Sequence, residues 1–216
     1  MTQAAQNLDV LLIDFDSIEL NEKEKPPEIT TISEKDGFFL NAEFSDDFRI
    51  RSSIYGMMKE AQKDLPENHH FMIYEAYRPL ARQKKLWDMA MDHVKANYPN
   101  ADKQQLRDMA ETFVADPYNG IGSGHQAGCA IDIAICDKDG HPYDMGSKCQ
   151  EITPLAYTAS NDISAEARKN RNILVGALEK TGFVNYPAEW WHFSYGDHQW
   201  AHLVGKKHAF FGPIDI

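Results

Sequence analysis

The segment Ser123–Ile135, SGHQAGCAIDIAI, has a polar first half that contains glycine and an almost wholly apolar second half. The glycines on either side of His125 make a tight turn feasible, and the apolar run from Ala130 predicts a buried strand. Asp132 interrupts that run, and a buried carboxylate is unfavourable unless it is paired or binds a metal. The segment therefore predicts a core strand that carries a functional carboxylate.

Helices and strands are mixed on both sides of this segment, without a regular βα alternation. Helical spacing of apolar residues predicts helices, and short apolar runs predict strands. The predicted helices are 52–65, 79–98, about 103–114 and one that begins after Ser164; the predicted strands are 10–15, 71–74, 130–135 and 190–195. This mixture favours an α+β fold with a small antiparallel sheet and flanking helices, in a single domain of residues 1–216. Residues 1–7 are predicted to be a flexible tail.

The composition argues against several classes of function. A net charge of −11 is unsuited to phosphate binding or to an anionic membrane surface, so we expect neither a nucleic-acid nor a membrane partner. No apolar run is long enough for a transmembrane helix, and the first residues lack the pattern of a signal peptide, which predicts a cytoplasmic protein. The three cysteines form no CxxC pair and are expected to be reduced.

The segment 189–192, EWWH, supplies further side chains suited to a metal centre. Catalytic zinc usually has three protein ligands drawn from histidine and carboxylate, with a fourth position for water, and a nearby carboxylate can take a proton from that water. Glu189 and His192 would lie on opposite faces of a regular strand, so we expect a bend close to Pro187. From the residues alone, a structural role for His125 and a surface position for Glu189 remain open.

The segments 123–132 and 189–194, SGHQAGCAID and EWWHFS, resemble the two signatures of the D-alanyl-D-alanine dipeptidases. This family is grouped with the zinc D,D-carboxypeptidases and the Hedgehog signalling domain. In it a Ser-x-His-x-x-Gly-x-Ala-x-Asp stretch precedes Glu-x-x-His, and the order is the same here. The Tyr-Arg-Pro element at residues 77–79 is similar to an upstream element of the family. The resemblance extends over roughly residues 70–200 and implies an α+β fold of the Hedgehog and D,D-peptidase type.

The resemblance also implies roles for individual side chains. It implies one Zn²⁺ per chain with three protein ligands, His125, Asp132 and His192. It implies two catalytic residues, Glu189 to activate water and Arg78 to stabilise the oxyanion. Substrate contacts are implied for Ser123, Tyr77 and Asp144. Cys129 could compete for zinc as a thiolate, but its spacing from Asp132 places it on the opposite strand face, so we expect an inert thiol.

The implied reaction is hydrolysis of the free D-Ala-D-Ala dipeptide to two D-alanines by a metal-activated water, so the expected partner is a small dipeptide. One alternative is a D,D-carboxypeptidase that removes the terminal D-Ala from peptidoglycan stem peptides. Another, of a different class, is a non-catalytic zinc-binding module. The lack of an export signal favours the soluble dipeptide, and Glu189 argues against the module because a structural site needs no base. The sequence leaves the oligomeric state open.

Overall fold

The computed structural model of the chain describes residues 17–216, so the predicted strand 10–15 and the tail 1–7 lie outside the described residues. Nine strands occur between these limits, most of them two or three residues long. They are β1 (Glu19–Leu20), β2 (Ile29–Thr31), β3 (Phe39–Leu40), β4 (Arg49–Arg51), β5 (His70–Glu75), β6 (Ala130–Cys136), β7 (Val184–Asn185), β8 (His192–Ser194) and β9 (His208–Ala209). The two longest, β5 and β6, contain the predicted strands 71–74 and 130–135.

Five strands form the central sheet in the order β3-β5-β6-β8-β7. The β5–β6, β6–β8 and β8–β7 pairs are antiparallel, as predicted, whereas the edge strand β3 pairs in parallel with β5. The parallel pair is possible because a helix, Ser52–Gln62, lies in the connection between these two strands. Two further pairs, β1 with β9 and β2 with β4, lie outside the central sheet.

Five α-helices of residues 17–216 flank the sheet: α1 (Ser52–Gln62), α2 (Leu80–Asn97), α3 (Lys103–Glu111), α4 (Ala165–Glu179) and α5 (His198–Leu203). Asp102 and Gln105 form a capping box that fixes the start of α3, and the Ser164 hydroxyl accepts a hydrogen bond from the amide of Ala167 at the start of α4. Helices α1 and α3 end about three residues before the predicted positions. The mixture of helices and strands confirms the predicted α+β class.

The main apolar core lies between the sheet and helices α1 and α4, and it includes every side chain of β6 except that of Asp132 and of Ala130. A second cluster joins α2 to α3 through Trp87, Ala90, Val94 and Ala110. This helical pair follows directly after Arg78 and contributes to the wall of the cavity described below. Within residues 17–216, no helix combines the length and apolar character needed to span a bilayer.

Candidate metal centre

The central sheet brings three polar residues side by side. Asp132 of β6 is the cross-strand partner of Glu75 on β5 and of His192 on β8. Directly opposite residues in a sheet project from the same face, so these three side chains form a row across three strands. Asp132 is 2% exposed and Glu75 is fully buried. The row places two buried carboxylates beside a partly buried histidine.

His125 joins this row from the turn that precedes β6. Gly128 adopts φ +67°, a backbone conformation that favours glycine, and the amide of Cys129 donates to the carbonyl of Gly124. A Cβ atom on Gly124 would lie 2.0 Å from Asp197 Oδ2. Both glycines are therefore required by the turn that returns His125 over Asp132, as the sequence predicted.

Three donor atoms converge at this point. His125 Nε2 lies 3.2 Å from His192 Nδ1 and 3.3 Å from Asp132 Oδ1, and His192 Nδ1 lies 3.1 Å from the same oxygen. Zinc bonds of about 2.0–2.2 Å in tetrahedral geometry place two ligand atoms about 3.3–3.6 Å apart. The three separations match one face of such a tetrahedron to within a few tenths of an ångström, so the donor set fits a zinc ion.

The surrounding hydrogen bonds orient these donors. His125 Nδ1 lies 2.8 Å from the carbonyl of Ala76, which fixes the proton on Nδ1 and leaves the lone pair on Nε2. Asp132 Oδ2 accepts from Gln150 Nε2 at 2.8 Å, so only Oδ1 faces the histidines. Burial raises the pKa of Asp132, but the attraction and hydrogen bonds of His125 and His192 outweigh it and hold that pKa well below its usual range. Asp132 therefore remains a carboxylate.

Glu189 lies at the border of the donor set. The bend expected near Pro187 is present: the Glu189 amide donates to Tyr186 and the His192 amide donates to the Glu189 carbonyl. This turn brings Glu189 Oε2 to 4.0 Å from His192 Nδ1, although β8 itself begins only at His192. Burial raises the pKa of Glu189 to about 7, against the opposing effect of His192. The carboxylate is near the donors without being within bonding distance of them.

Arg78 is held rigidly beside the same centre. Its Nε and Nη2 donate to the two oxygens of Glu75 at 3.1 and 2.7 Å, and Nη1 donates to Gln83 Oε1 at 3.0 Å. Nη2 also lies 3.9 Å from Asp132 Oδ2. Burial raises the pKa of Glu75, but the charge and hydrogen bonds of Arg78 prevail and lower it to about 2. The guanidinium therefore has a fixed orientation and a fully ionised partner.

A cavity of about 170 Å³ opens onto the donor set. Known ligand pockets measure about 300–1,000 Å³, so this cavity suits a small molecule. The side chains proposed from sequence that line it are Arg78, Ser123, His125, Asp132, Glu189 and His192. Trp190 and Trp191 are each 2% exposed and belong to the main core, and Trp191 also forms part of the cavity wall.

Two residues expected to contact substrate are placed elsewhere. Tyr77 is 1% exposed and does not line this cavity, because its hydroxyl donates to the carbonyl of Ile214 at 2.7 Å. Asp144 borders a different cavity, where its carboxylate accepts hydrogen bonds from Gly146 and Ser164. Cys129 is fully buried, and burial raises its pKa well above its usual range, in keeping with the expected inert thiol.

Five further polar residues at the centre were missed from the sequence. They are Glu75, which supports Arg78, and four of the residues that line the cavity, Glu111, Gln150, Asp197 and His198; Gln199 also lines it. The sequence does contain an indication of Glu75, because this carboxylate comes directly after the apolar run Phe71–Tyr74, at the end of a predicted strand. The others come from loops and helix ends that the sequence pattern does not bring near Asp132.

The fold and the centre together define the class. Two imidazoles and a carboxylate lie at separations that fit zinc, two of them on the central sheet and one on the turn before β6. Together with a cavity that contains a separate carboxylate and a fixed guanidinium, they form the arrangement of a mononuclear metallohydrolase.

Comparison with known proteins narrows the class to one family. The sequence profile of the family described as D-Ala-D-Ala dipeptidase matches residues 50–211. The chain belongs to this family and is a zinc metallopeptidase.

Curated relatives have the same description. A D-alanyl-D-alanine dipeptidase of Synechocystis sp. is 28% identical over 195 residues, which cover 77% of this chain and 79% of the relative. One of Escherichia coli K12 is 30% identical over 122 residues, 56% of this chain and 53% of the relative.

Two solved structures are each 19% identical and cover 89% of this chain. A vancomycin resistance D,D-pentapeptidase VanY variant with Zn(II) has a TM-score of 0.47, with 96% of that chain covered, and VanYB with D-Alanine-D-Alanine has 0.48, with 94% covered.

Proposed function

We propose that the protein hydrolyses free D-Ala-D-Ala to two D-alanines in a zinc-dependent reaction. The observation that supports this most directly is the set of donor atoms 3.1–3.3 Å apart at a cavity of about 170 Å³. Family membership and the names of the curated relatives support the same substrate. A cytoplasmic location remains a prediction from the sequence.

The proposed ligand atoms are His125 Nε2, Asp132 Oδ1 and His192 Nδ1. When bound there, zinc supplies a Lewis acid that polarises the peptide carbonyl and lowers the pKa of water. The sheet provides two of the three ligands from adjacent strands, and this rigid support favours a constant geometry.

Glu189 is the proposed general base. Its carboxylate is 4.0 Å from His192 Nδ1 and forms no stronger ion pair among the described residues, so it is free to accept a proton beside the ligands. The same carboxyl group then returns the proton to the nitrogen of the leaving D-alanine. The neighbouring Asp132 cannot do this, because both of its oxygens are already occupied by hydrogen-bond donors and by the proposed ligand role.

Arg78 is proposed to stabilise the negative charge that develops on the carbonyl oxygen. A guanidinium held by two bonds to Glu75 needs little reorganisation as the charge forms. Ser123, whose hydroxyl donates to Gln83 Oε1 at 3.3 Å and borders the cavity, is a proposed contact for the substrate.

Glu111 is the proposed partner of the dipeptide's ammonium group. It lines the cavity from the end of α3 and has no hydrogen bond or ion pair among residues 17–216, since the nearby Arg107 is paired with Asp116. Burial, together with Asp116 and Asp108, raises the pKa of Glu111, and the smaller opposing effect of Arg107 does not offset this rise. A substrate ammonium would supply a cation in direct contact with this carboxylate. A stem peptide has an amide at that place, so Glu111 favours the free dipeptide.

The test is a comparison of substrates on the zinc-loaded enzyme. We expect hydrolysis of D-Ala-D-Ala, with weaker hydrolysis of L,D and L,L dipeptides and of a pentapeptide stem. Turnover of the stem alone would establish the D,D-carboxypeptidase instead. An absence of turnover on every peptide, with zinc bound, would support the non-catalytic module.

A further inference from the structure

Gln150 connects the two halves of the centre. Its side-chain Nε2 donates to Asp132 Oδ2 at 2.8 Å and to Glu75 Oε2 at 2.9 Å. Asp132 is a proposed zinc ligand, and Glu75 is the partner that holds Arg78. A single NH₂ group therefore bridges Asp132, the carboxylate proposed to bind zinc, and Glu75, the carboxylate that holds Arg78.

The chemistry of this position requires a hydrogen-bond donor. Both facing oxygens belong to ionised carboxylates and can only accept hydrogen bonds, so the amide must present its nitrogen to them. A carboxylate at position 150 would place a third negative charge against two buried ones. A shorter or apolar side chain would leave Asp132 Oδ2 without its 2.8 Å donor, and Arg78 Nη2, at 3.9 Å, is beyond hydrogen-bond distance.

The backbone at this residue is strained. Gln150 has φ +60°, and the only other described non-glycine residue with positive φ is Asn68, at φ 62° in an exposed turn. The left-handed region is unfavourable for glutamine and is usually occupied by glycine or asparagine. Such strain persists where the surrounding structure needs that side chain in that place. At Gln150, the two hydrogen bonds from Nε2 to the carboxylates depend on this position of the side chain.

We propose that Gln150 is a positioning residue that holds Asp132 as a ligand through Oδ1 alone and links it to the Glu75–Arg78 pair. This inference rests on the zinc site of the proposed function. With Oδ2 bound by the amide, Asp132 presents one oxygen to the ion, and the remaining coordination position stays open for water or substrate. Partners that orient ligands in this way commonly affect metal affinity by about 10–100-fold.

The experiment compares Gln150→Gly with the wild type. Glycine removes the amide and at the same time relieves the backbone strain, so any loss cannot result from the positive φ. We expect zinc affinity, measured by competition with a chromophoric chelator, to fall about 10–100-fold. In the Co²⁺-substituted protein, we expect the visible absorption to weaken as Asp132 becomes free to bind with both oxygens.

Two further variants complete the design. Asn68→Gly relieves the same backbone conformation far from the centre, and it should leave zinc affinity and the Co²⁺ spectrum unchanged. Gln150→Asn tolerates the left-handed conformation but is one methylene too short, and it should lose affinity as Gln150→Gly does. Thermal unfolding of each variant shows whether it is folded.

Folded Gln150→Gly and Gln150→Asn proteins with wild-type zinc affinity and an unchanged Co²⁺ spectrum would overturn the inference. Failure of the proposed function is a separate result, because it would appear as a wild type that binds zinc and hydrolyses no peptide. The zinc measurements would still decide the role of Gln150 in that case.

Discussion

Replacing Glu75 with glutamine is the most informative perturbation of the buried charge network. The side chain is fully buried and accepts four hydrogen bonds, from Arg78 Nε at 3.1 Å and Nη2 at 2.7 Å, from Arg82 Nε at 2.8 Å and from Gln150 Nε2 at 2.9 Å. Glutamine has nearly the same shape, but it carries no charge and turns an NH₂ group toward donors. The change therefore tests the charge with little effect on packing.

The expected magnitude follows from this environment. Removing one partner of a buried ion pair costs about 3–5 kcal/mol, because the remaining charge is left without compensation. Domains of this size have a free energy of unfolding of about 5–15 kcal/mol, so the variant should fold but be clearly destabilised. Arg78 would lose its fixed orientation, and we expect turnover of D-Ala-D-Ala to fall about 10²-fold or more.

Urea unfolding at one fixed zinc concentration measures the stability change, and steady-state kinetics on the same samples measures turnover. Glu60→Gln is the matched control, because Glu60 pairs with Lys63 on the surface with both side chains more than 60% exposed. Such an exposed ion pair contributes about 0–1 kcal/mol to the free energy of unfolding. If Glu75→Gln lowered the free energy of unfolding by less than about 1 kcal/mol, as expected for the control, the view that this carboxylate anchors the centre would be refuted.

Three other changes test individual assignments. Glu189→Gln should lower kcat by about 10²–10⁴-fold while zinc content measured by atomic absorption stays at one per chain; an active variant would exclude Glu189 as the base. Glu111→Gln should lower kcat/KM for D-Ala-D-Ala but not for its N-acetyl derivative, which lacks the ammonium. The control Glu60→Gln, on the surface and outside the cavity, should affect neither substrate, and an equal loss on both by Glu111→Gln would reject the ammonium contact. Gly124→Ala should reduce both thermal stability and zinc content, since its Cβ would lie 2.0 Å from Asp197 Oδ2, and a variant with wild-type values for both would contradict this role of the turn.

The strands and helices that form the centre follow from local sequence. The apolar runs that contain Phe71–Tyr74 and Ala130–Ile135 are long enough to be recognised as strands, and caps such as Ser164 mark helix starts. The predicted helix 79–98 agrees with α2 to within one residue at each end. These features depend on neighbours a few positions apart, which is why the sequence is sufficient for them.

The edge of the sheet was less predictable. Strand β3 is two residues long, and its parallel pairing with β5 depends on a crossover that no local pattern specifies. Tyr77 and Asp144 show the same limitation at the level of side chains. Tyr77 donates to Ile214, which is 137 positions away in the sequence, and that contact could not be inferred from the Tyr-Arg-Pro element.

The sequence by itself determined the residue types of the centre and the turn that precedes β6, because glycine spacing and a carboxylate inside an apolar strand have direct physical consequences. Only the tertiary structure decided that Asp132 lies between Glu75 and His192 and that Gln150 bridges two carboxylates. These contacts join positions 18–75 residues apart. They depend on strand order and on one strained backbone conformation, and both are set by the packing of the whole sheet.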